Sequence, residues 1–226
     1  MTPSWWQESS LERFMELTEN RLALHKVIDL GRRTRLRLRK YSLIAHLRGL
    51  WFARKLTHHG IVVVTGRYPA PTVLNRGGAI DVKNCEFYEG VRLEVYRGGM
   101  LTIGNGTYLN RNAVVIAVGN VDIGNDCRIG WDVVIMDSDL HPVDANDQPT
   151  ESARVVIEDD VWIGCRSIIL KGVRIGKRSV IAAGSIVTKD IPPNSIAAGV
   201  PARVISSNPE RAEFFLKKIR SAPTSR

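Results

Sequence analysis

From residue 103 an aliphatic side chain returns every six positions, in three runs. The first is Ile103, Leu109 and Val115. After a slip of two residues come Ile123, Ile129 and Ile135, and the third is Ile157, Ile163, Ile169, Ile175, Ile181 and Val187. Six residues do not match the 3.6-residue rhythm of an amphipathic helix, nor the alternation of a long strand. They suit a coil in which each hexapeptide forms one flat face and points one aliphatic side chain inward, stacked on its counterpart in the next coil. Gly104, Gly124, Gly130, Gly164, Gly176 and Ala182 follow the inward position, where the backbone is expected to turn tightly. Thr107, Ala113, Cys127, Ser167, Ser179 and Ser185 lie four places after it and let a narrow prism close. Such coils bury their inner row only against neighbouring coils, so the array is stable as a stack.

The repeat is interrupted once. Ile135 and Ile157 are 22 apart instead of 6, so 16 residues are inserted, forming a loop over about 137–154 that is rich in Asp, Pro and Asn. Outside the repeats, 9–30 and 34–57 are predicted to be helical. Tyr41, Ile44, Leu47 and Trp51 share one helical face, with Leu43 and Leu50 beside it. The alternation Arg35-Leu36-Arg37-Leu38-Arg39 fits a strand equally well. Ile61 to Val64 predicts a short strand leading into the prism, and Asn208-Pro209-Glu210 a cap and first turn for a terminal helix carrying Phe214, Phe215 and Leu216. The expected organisation is a basic, mainly helical extension over 1–60, a repeat domain over 61–207, and a helix and tail over 208–226.

Composition narrows the class. Hydrophobic residues make up 44% of the 226, enough for a sizeable core. The longest apolar run, Ile61 to Val64, is far too short to span a bilayer. Glu8, Glu12, Glu16 and Glu19 break up the start of the chain, so no export signal is expected and a cytoplasmic location is. Cys85, Cys127 and Cys165 have no metal-like spacing and are expected to be reduced, small core residues. The net charge of +9 is concentrated in residues 21–60, which hold eleven Lys and Arg against one acid, Asp29. That segment either meets an anionic partner (a membrane surface at the inner face, a lipid-linked glycan or an acyl carrier protein) or is a solvated helix packed on the prism. No nucleic-acid-binding motif accompanies the charge.

The inserted loop holds His141, the one histidine of the repeat region, since the other four lie before residue 60. An imidazole that titrates near neutrality suits removal of a proton from an attacking hydroxyl. Asp137 and Asp139 either orient that imidazole or cap the turn.

The hexapeptide period, the lead-in Arg92-Leu93-Glu94-Val95-Tyr96-Arg97-Gly98-Gly99, the stretch from Ala183 to Pro193 and the ending Ala198-Gly199-Val200-Pro201-Ala202-Arg203-Val204-Ile205 resemble the hexapeptide-repeat acyltransferases. The likeness covers about 91–205 and is nearest to the maltose, galactoside and polysaccharide O-acetyltransferases. It implies a mainly β fold, a left-handed parallel β-helix. It also implies transfer of an acyl group, acetyl by default and succinyl or longer as the alternative, from coenzyme A to a hydroxyl of a sugar or glycan, without an acyl-enzyme. By the same resemblance His141 is the general base. Asn110 holds the acceptor hydroxyl or the developing oxyanion unless it merely stacks at a coil corner. The pantetheine arm runs beside Gly164, Cys165, Ala183 and Gly184, and Thr188, Lys189 and Arg203 meet the phosphates. Homotrimers of the family place each active site between two prisms, and no metal takes part. Arg111 stands where relatives often carry an apolar residue, which puts the acceptor in question. Cys165 reads as a wall position and not as a nucleophile. Three competing readings fare less well. A γ-class carbonic anhydrase needs three histidines where only His141 is at hand. A non-catalytic binding scaffold leaves the loop histidine unexplained, and a sugar-nucleotide transferase needs a larger domain before the prism.

Overall fold

A computed structural model describes residues 42–66, 69–140 and 152–207. The chain divides into two compact units, Met1–Ser42 and Leu43–Arg226, and everything below concerns the second. The terminal helix expected over 208–226, the helix over 9–30 and the Arg35–Arg39 alternation lie outside the described residues.

The second unit is a parallel β-solenoid of about six turns, three faces to a turn, entered through one helix, α1 (Leu43–Ala53). Face A stacks His58–His59, Ala79–Val82, Met100–Ile103, Asn120–Ile123, Val155–Ile157 and Arg174–Ile175. Face B runs from Val62–Val64 through Cys85–Phe87, Tyr108–Leu109, Arg128–Ile129, Trp162–Ile163 and Val180–Ile181 to Ile196–Gly199. There the antiparallel strand Ala202–Ser206 covers the last edge. Face C comprises Thr72–Asn75, Arg92–Val95, Val114–Ala117, Val134–Met136, Ile168–Ile169 and Ile186–Val187.

Register follows the hexapeptide rhythm. Ile103, Ile123, Ile157 and Ile175 are paired in sequence on face A, Leu109, Ile129, Ile163 and Ile181 on face B, and Val115, Ile135, Ile169 and Val187 on face C. None of these twelve is more than 2% exposed. Each buried aliphatic contributes about 1.5–3 kcal/mol, so the three columns are the main source of stability. The small residues four places on are all fully buried, and their hydroxyls bond to backbone: Thr107 Oγ1 donates to Gly124 O at 2.7 Å and Ser167 Oγ to Ala182 O at 3.0 Å.

The glycines after the inward positions serve a purpose other than the expected one. The left-handed backbone falls two residues later, at Gly106, Asp126, Asp132, Arg166, Arg178 and Gly184, with φ between 53° and 83°. Gly104, Gly124, Gly130, Gly164 and Gly176 are instead places where stacked backbones touch. A Cβ on Gly164 would lie 2.5 Å from Ala183 N, and one on Gly130 2.7 Å from Cys165 N. Close approach of neighbouring coils, not turning, excludes a side chain there.

Helix α1 falls inside the expected 34–57 segment but turns over the opposite way. Ala45, Gly49, Phe52 and Ala53 are buried, and Gly49 presses so closely on Val62 O that no Cβ fits. Phe52 meets Phe87 with ring centroids 5.1 Å apart, closing the first coils of the core. The stripe of Ile44, Leu47 and Trp51 that the periodicity marks out is exposed.

Candidate active site

The coil corners sort the expected site residues onto two edges of the prism. Along the B–C edge come Asn110, then Gly130-Trp131-Asp132 one coil on, then Gly164-Cys165-Arg166, then Ala183-Gly184. Gly184 N donates to Cys165 O at 2.9 Å and Arg166 N to Trp131 O at 2.9 Å, so the row is one continuous ladder. Arg203, paired with Ala198, is exposed at the end of the same row, where Gly199 N donates to Ser185 Oγ at 3.2 Å. Asn110 turns its own corner: its Oδ1 accepts from Arg111 N at 2.8 Å, and Arg111 is ion-paired with Glu89 of the preceding coil. The Asn110 Nδ2 group stays available on this half-buried side chain for a further acceptor.

The C–A edge carries the base of the inserted loop, followed by Lys171-Gly172 and then Thr188-Lys189, both of which are exposed. His141 lies outside the described residues, as do 142–151. What holds their two ends is described. Ser138 and Ser152 bridge antiparallel, and Ala153 N donates to Asp137 O at 2.8 Å, so the insert leaves and re-enters the coil at one point. Asp137 is fully buried, and its carboxylate accepts from Val118 N at 2.8 Å and Gly119 N at 2.7 Å. Burial pushes this carboxyl above the usual range, opposed by the two amides. Val118 and Gly119 are the two-residue slip between the first and second runs. The slip and the insert are therefore one feature: extra backbone at one corner, clamped by an acid from the next coil. Gly119 lacks a side chain because Ser152 Oγ occupies its place.

Of the two candidate partners for His141, Asp137 is thus occupied by the corner. Asp139 is half-buried at 27% side-chain exposure and forms an ion pair with Lys171 Nζ at 2.8 Å. Lys171 was not singled out by the sequence patterning. It precedes Lys189 by 18 positions, one full coil, which is the signal that marks the pair as edge neighbours. Trp131 was missed too. Its indole is 49% exposed on the B–C edge between Asn110 and Cys165, beside the Arg166–Asp132 pair at 3.6 Å. Cys127, fully buried in these coils, is pushed up to about 12 by burial and so stays a thiol at neutral pH. Among the described residues no group of three or more His, Cys, Asp or Glu could hold a metal ion.

The two edges flank face C, whose outer side from Val114 onward is the most uniformly apolar of the three. Val114, Ile116, Val134, Met136, Ile168, Leu170 and Ile186 alternate with the inward column and so point outward. The corresponding row on face A holds Asp81, Thr102, Asp122, Val156 and Arg174, and on face B Glu86, Tyr108, Arg128, Trp162 and Val180, while on face C itself the first coils carry Thr72, Arg92 and Glu94 in these rows. Asn110 and the loop base cannot meet within one chain, because a whole face separates them.

Known proteins share this architecture. Residues 154–189 match the family described as bacterial transferase hexapeptide (six repeats). The chain is 42% identical over 112 residues to a galactoside O-acetyltransferase of Lactococcus lactis, covering 48% of this chain and 54% of that one. It is 40% identical over 124 residues to the galactoside O-acetyltransferase of Escherichia coli, covering 54% and 61%. The match thus spans little more than half the length of these curated relatives. A crystal structure of a hexapeptide-repeat-containing acetyltransferase from Vibrio cholerae superposes with a TM-score of 0.51 at 31% identity, over 78% of this chain and 89% of that one. A second structure of that Vibrio protein is a complex with acetyl coenzyme A. With its six-residue columns, its parallel solenoid and this coverage, the chain belongs to the hexapeptide-repeat acetyltransferase family.

Proposed function

We propose that this protein is an acyl-coenzyme A-dependent O-acyltransferase, acetyl by default, that acts on a hydroxyl of a sugar or glycan and works as a homotrimer. The observation that carries the reading is the placement of two rows of chemically apt groups on two edges that flank one apolar outer face. The outward side chains of that face from Val114 onward are half-buried, and Ile116 buried, within one chain, and a second copy packed on them would bury the remainder. Three copies turned inward through face C would lay the B–C edge of one chain against the C–A edge of the next. Asn110, Gly164, Cys165, Ala183, Gly184 and Arg203 would then face the neighbour's His141, Asp139, Thr188 and Lys189. Left-handed winding, the hand usual for this family, and a terminal helix over 208–226 belong to the same reading.

In that cleft the bare backbone beside Gly164 and Gly184 admits a narrow pantetheine arm, while Lys189 and Arg203 supply charge for its phosphates. His141 takes the acceptor proton as the hydroxyl oxygen attacks the thioester carbonyl. The Asn110 amide donates to the oxyanion or holds the hydroxyl in line. Collapse of the tetrahedral adduct expels the coenzyme A thiolate, which receives the proton from the imidazolium. Asp139, held by Lys171 at the root of the loop, favours the charged imidazole. Trp131 offers an exposed ring face of the kind on which sugars stack.

The test is thiol release from acetyl coenzyme A against a panel of sugar and glycan acceptors, wild type beside His141→Ala. Acceptor-dependent release that drops at least about a hundredfold in the variant, with coenzyme A affinity nearly unchanged, is the expected result. Near-normal turnover of the variant overturns the assignment of the base. Absence of coenzyme A binding overturns the transferase reading and favours a binding scaffold.

A further inference from the structure

Helix α1 buries its small residues and exposes its large ones. At 3.6 residues per turn, Leu43, Leu47, Leu50 and Trp51 fall on one arc bordered by Ile44, opposite the packed side of Ala45, Gly49, Phe52 and Ala53. Their exposures are 75%, 56%, 63%, 59% and, for Ile44, 58%. Five large apolar side chains in the open on an eleven-residue helix are costly unless something covers them.

The charged side chains of the helix and the turn after it are cationic. Arg48 borders the arc and is held by Gly66 O, Arg54 and Lys55 follow the last turn, and the Lys55 ammonium sits 4.9 Å above the Trp51 ring. Exposed leucines, an indole with its cation, and a surplus of Lys and Arg are the combination that lies in the plane of a bilayer interface: the apolar arc enters the headgroup boundary, and the long basic side chains reach to lipid phosphates. No helix among the described residues is long and apolar enough to cross a membrane. The arrangement is that of an element lying on a surface.

We propose that the exposed arc of α1, with Arg48, Arg54 and Lys55 beside it, docks this chain onto an anionic phospholipid surface. The inference is independent of the transferase reading, since it uses none of the residues on the two edges. If both hold, the acceptor is met at the membrane.

The test is flotation of the full chain with phosphatidylglycerol–phosphatidylcholine vesicles and with phosphatidylcholine vesicles alone. The wild type is expected to float with the anionic vesicles only and to be released as salt rises. Leu47→Glu/Trp51→Glu is expected to lose at least about tenfold in bound fraction while melting like the wild type. Leu43→Gln/Leu50→Gln, also confined to the exposed side, repeats the test should the first variant fold poorly. Failure of the wild type to float overturns the proposal, as does equal flotation on neutral vesicles or undiminished binding by a folded variant. A smaller particle by light scattering in the variants, without any vesicle binding by the wild type, would assign the arc to a second copy instead.

Discussion

Asp137 shows how a residue's type can be legible while its task is not. Its position at the start of a polar insert, four residues before a histidine, suits a base-orienting carboxylate as well as a turn cap. The structure spends both oxygens on Val118 N and Gly119 N, at 2.8 and 2.7 Å. Those donors lie 19 and 18 residues away along the chain, beyond any local sequence motif. Asp137→Ala leaves two corner amides without their acceptor, each costing about 1–3 kcal/mol if buried. The expected result is a lower melting temperature by several degrees and a less firmly rooted loop. A melting temperature within one degree of the wild type would mean that water replaces the carboxylate at no cost. Asp139 is the contrasting case. Its ion pair with Lys171 is partly exposed and worth little as a stability element, so its value is in where it holds the loop.

At the level of the elements, each coil is three short strands, and what locks them together is backbone contact as much as side-chain packing. The hexapeptide columns were legible from residue 103 because corners there are short and uniform. The first two coils, Val62–Val64 to Val95, escaped the periodic reading because their corners vary in length, although Ile80, Phe87 and Leu93 are as fully buried as any later residue. Gly164 tests the contact principle. Its φ is unremarkable, so conformational freedom is not the reason for glycine. A valine there would drive its Cβ into Ala183 N and Cα, at 2.5 and 2.9 Å. Gly164→Val is expected to cost more than about 1–3 kcal/mol, the usual overpacking penalty, because the obstacle is backbone on the next coil. Denaturant unfolding measures it. Stability equal to wild type would show that the coils can spread, and that the glycine serves only the cleft.

For the molecule as a whole, the proposed trimer rests on the outer side of face C. Seven aliphatic residues point away from the core there, with the expected site residues on the edges to either side. Val134→Glu/Ile168→Glu places two acids on that face without touching the inward columns. If the proposed trimer forms through this face, light scattering is expected to show a trimeric wild type and a monomeric variant, with acetyl transfer lost and coenzyme A binding weakened. An active monomer would overturn the shared site. The helix α1 points to the same lesson from the other end of the prism. Its amphipathic stripe is plain in the sequence, yet the stripe faces outward and the core receives the small residues Ala45, Gly49 and Ala53 beside Phe52.

The six-residue period by itself settles a parallel solenoid, its inward residues and the place of its one long interruption. An inward column must be aliphatic at every turn whatever surrounds it, and that demand is periodic and local. Which side of α1 is buried, why the glycines are glycines, what Asp137 and Asp139 bind, and that Asn110 and the loop base stand on different edges were settled only in three dimensions. All of these depend on residues about one coil or more apart in sequence that meet because the chain has wound back on itself, and no local pattern records which neighbour the next turn will bring.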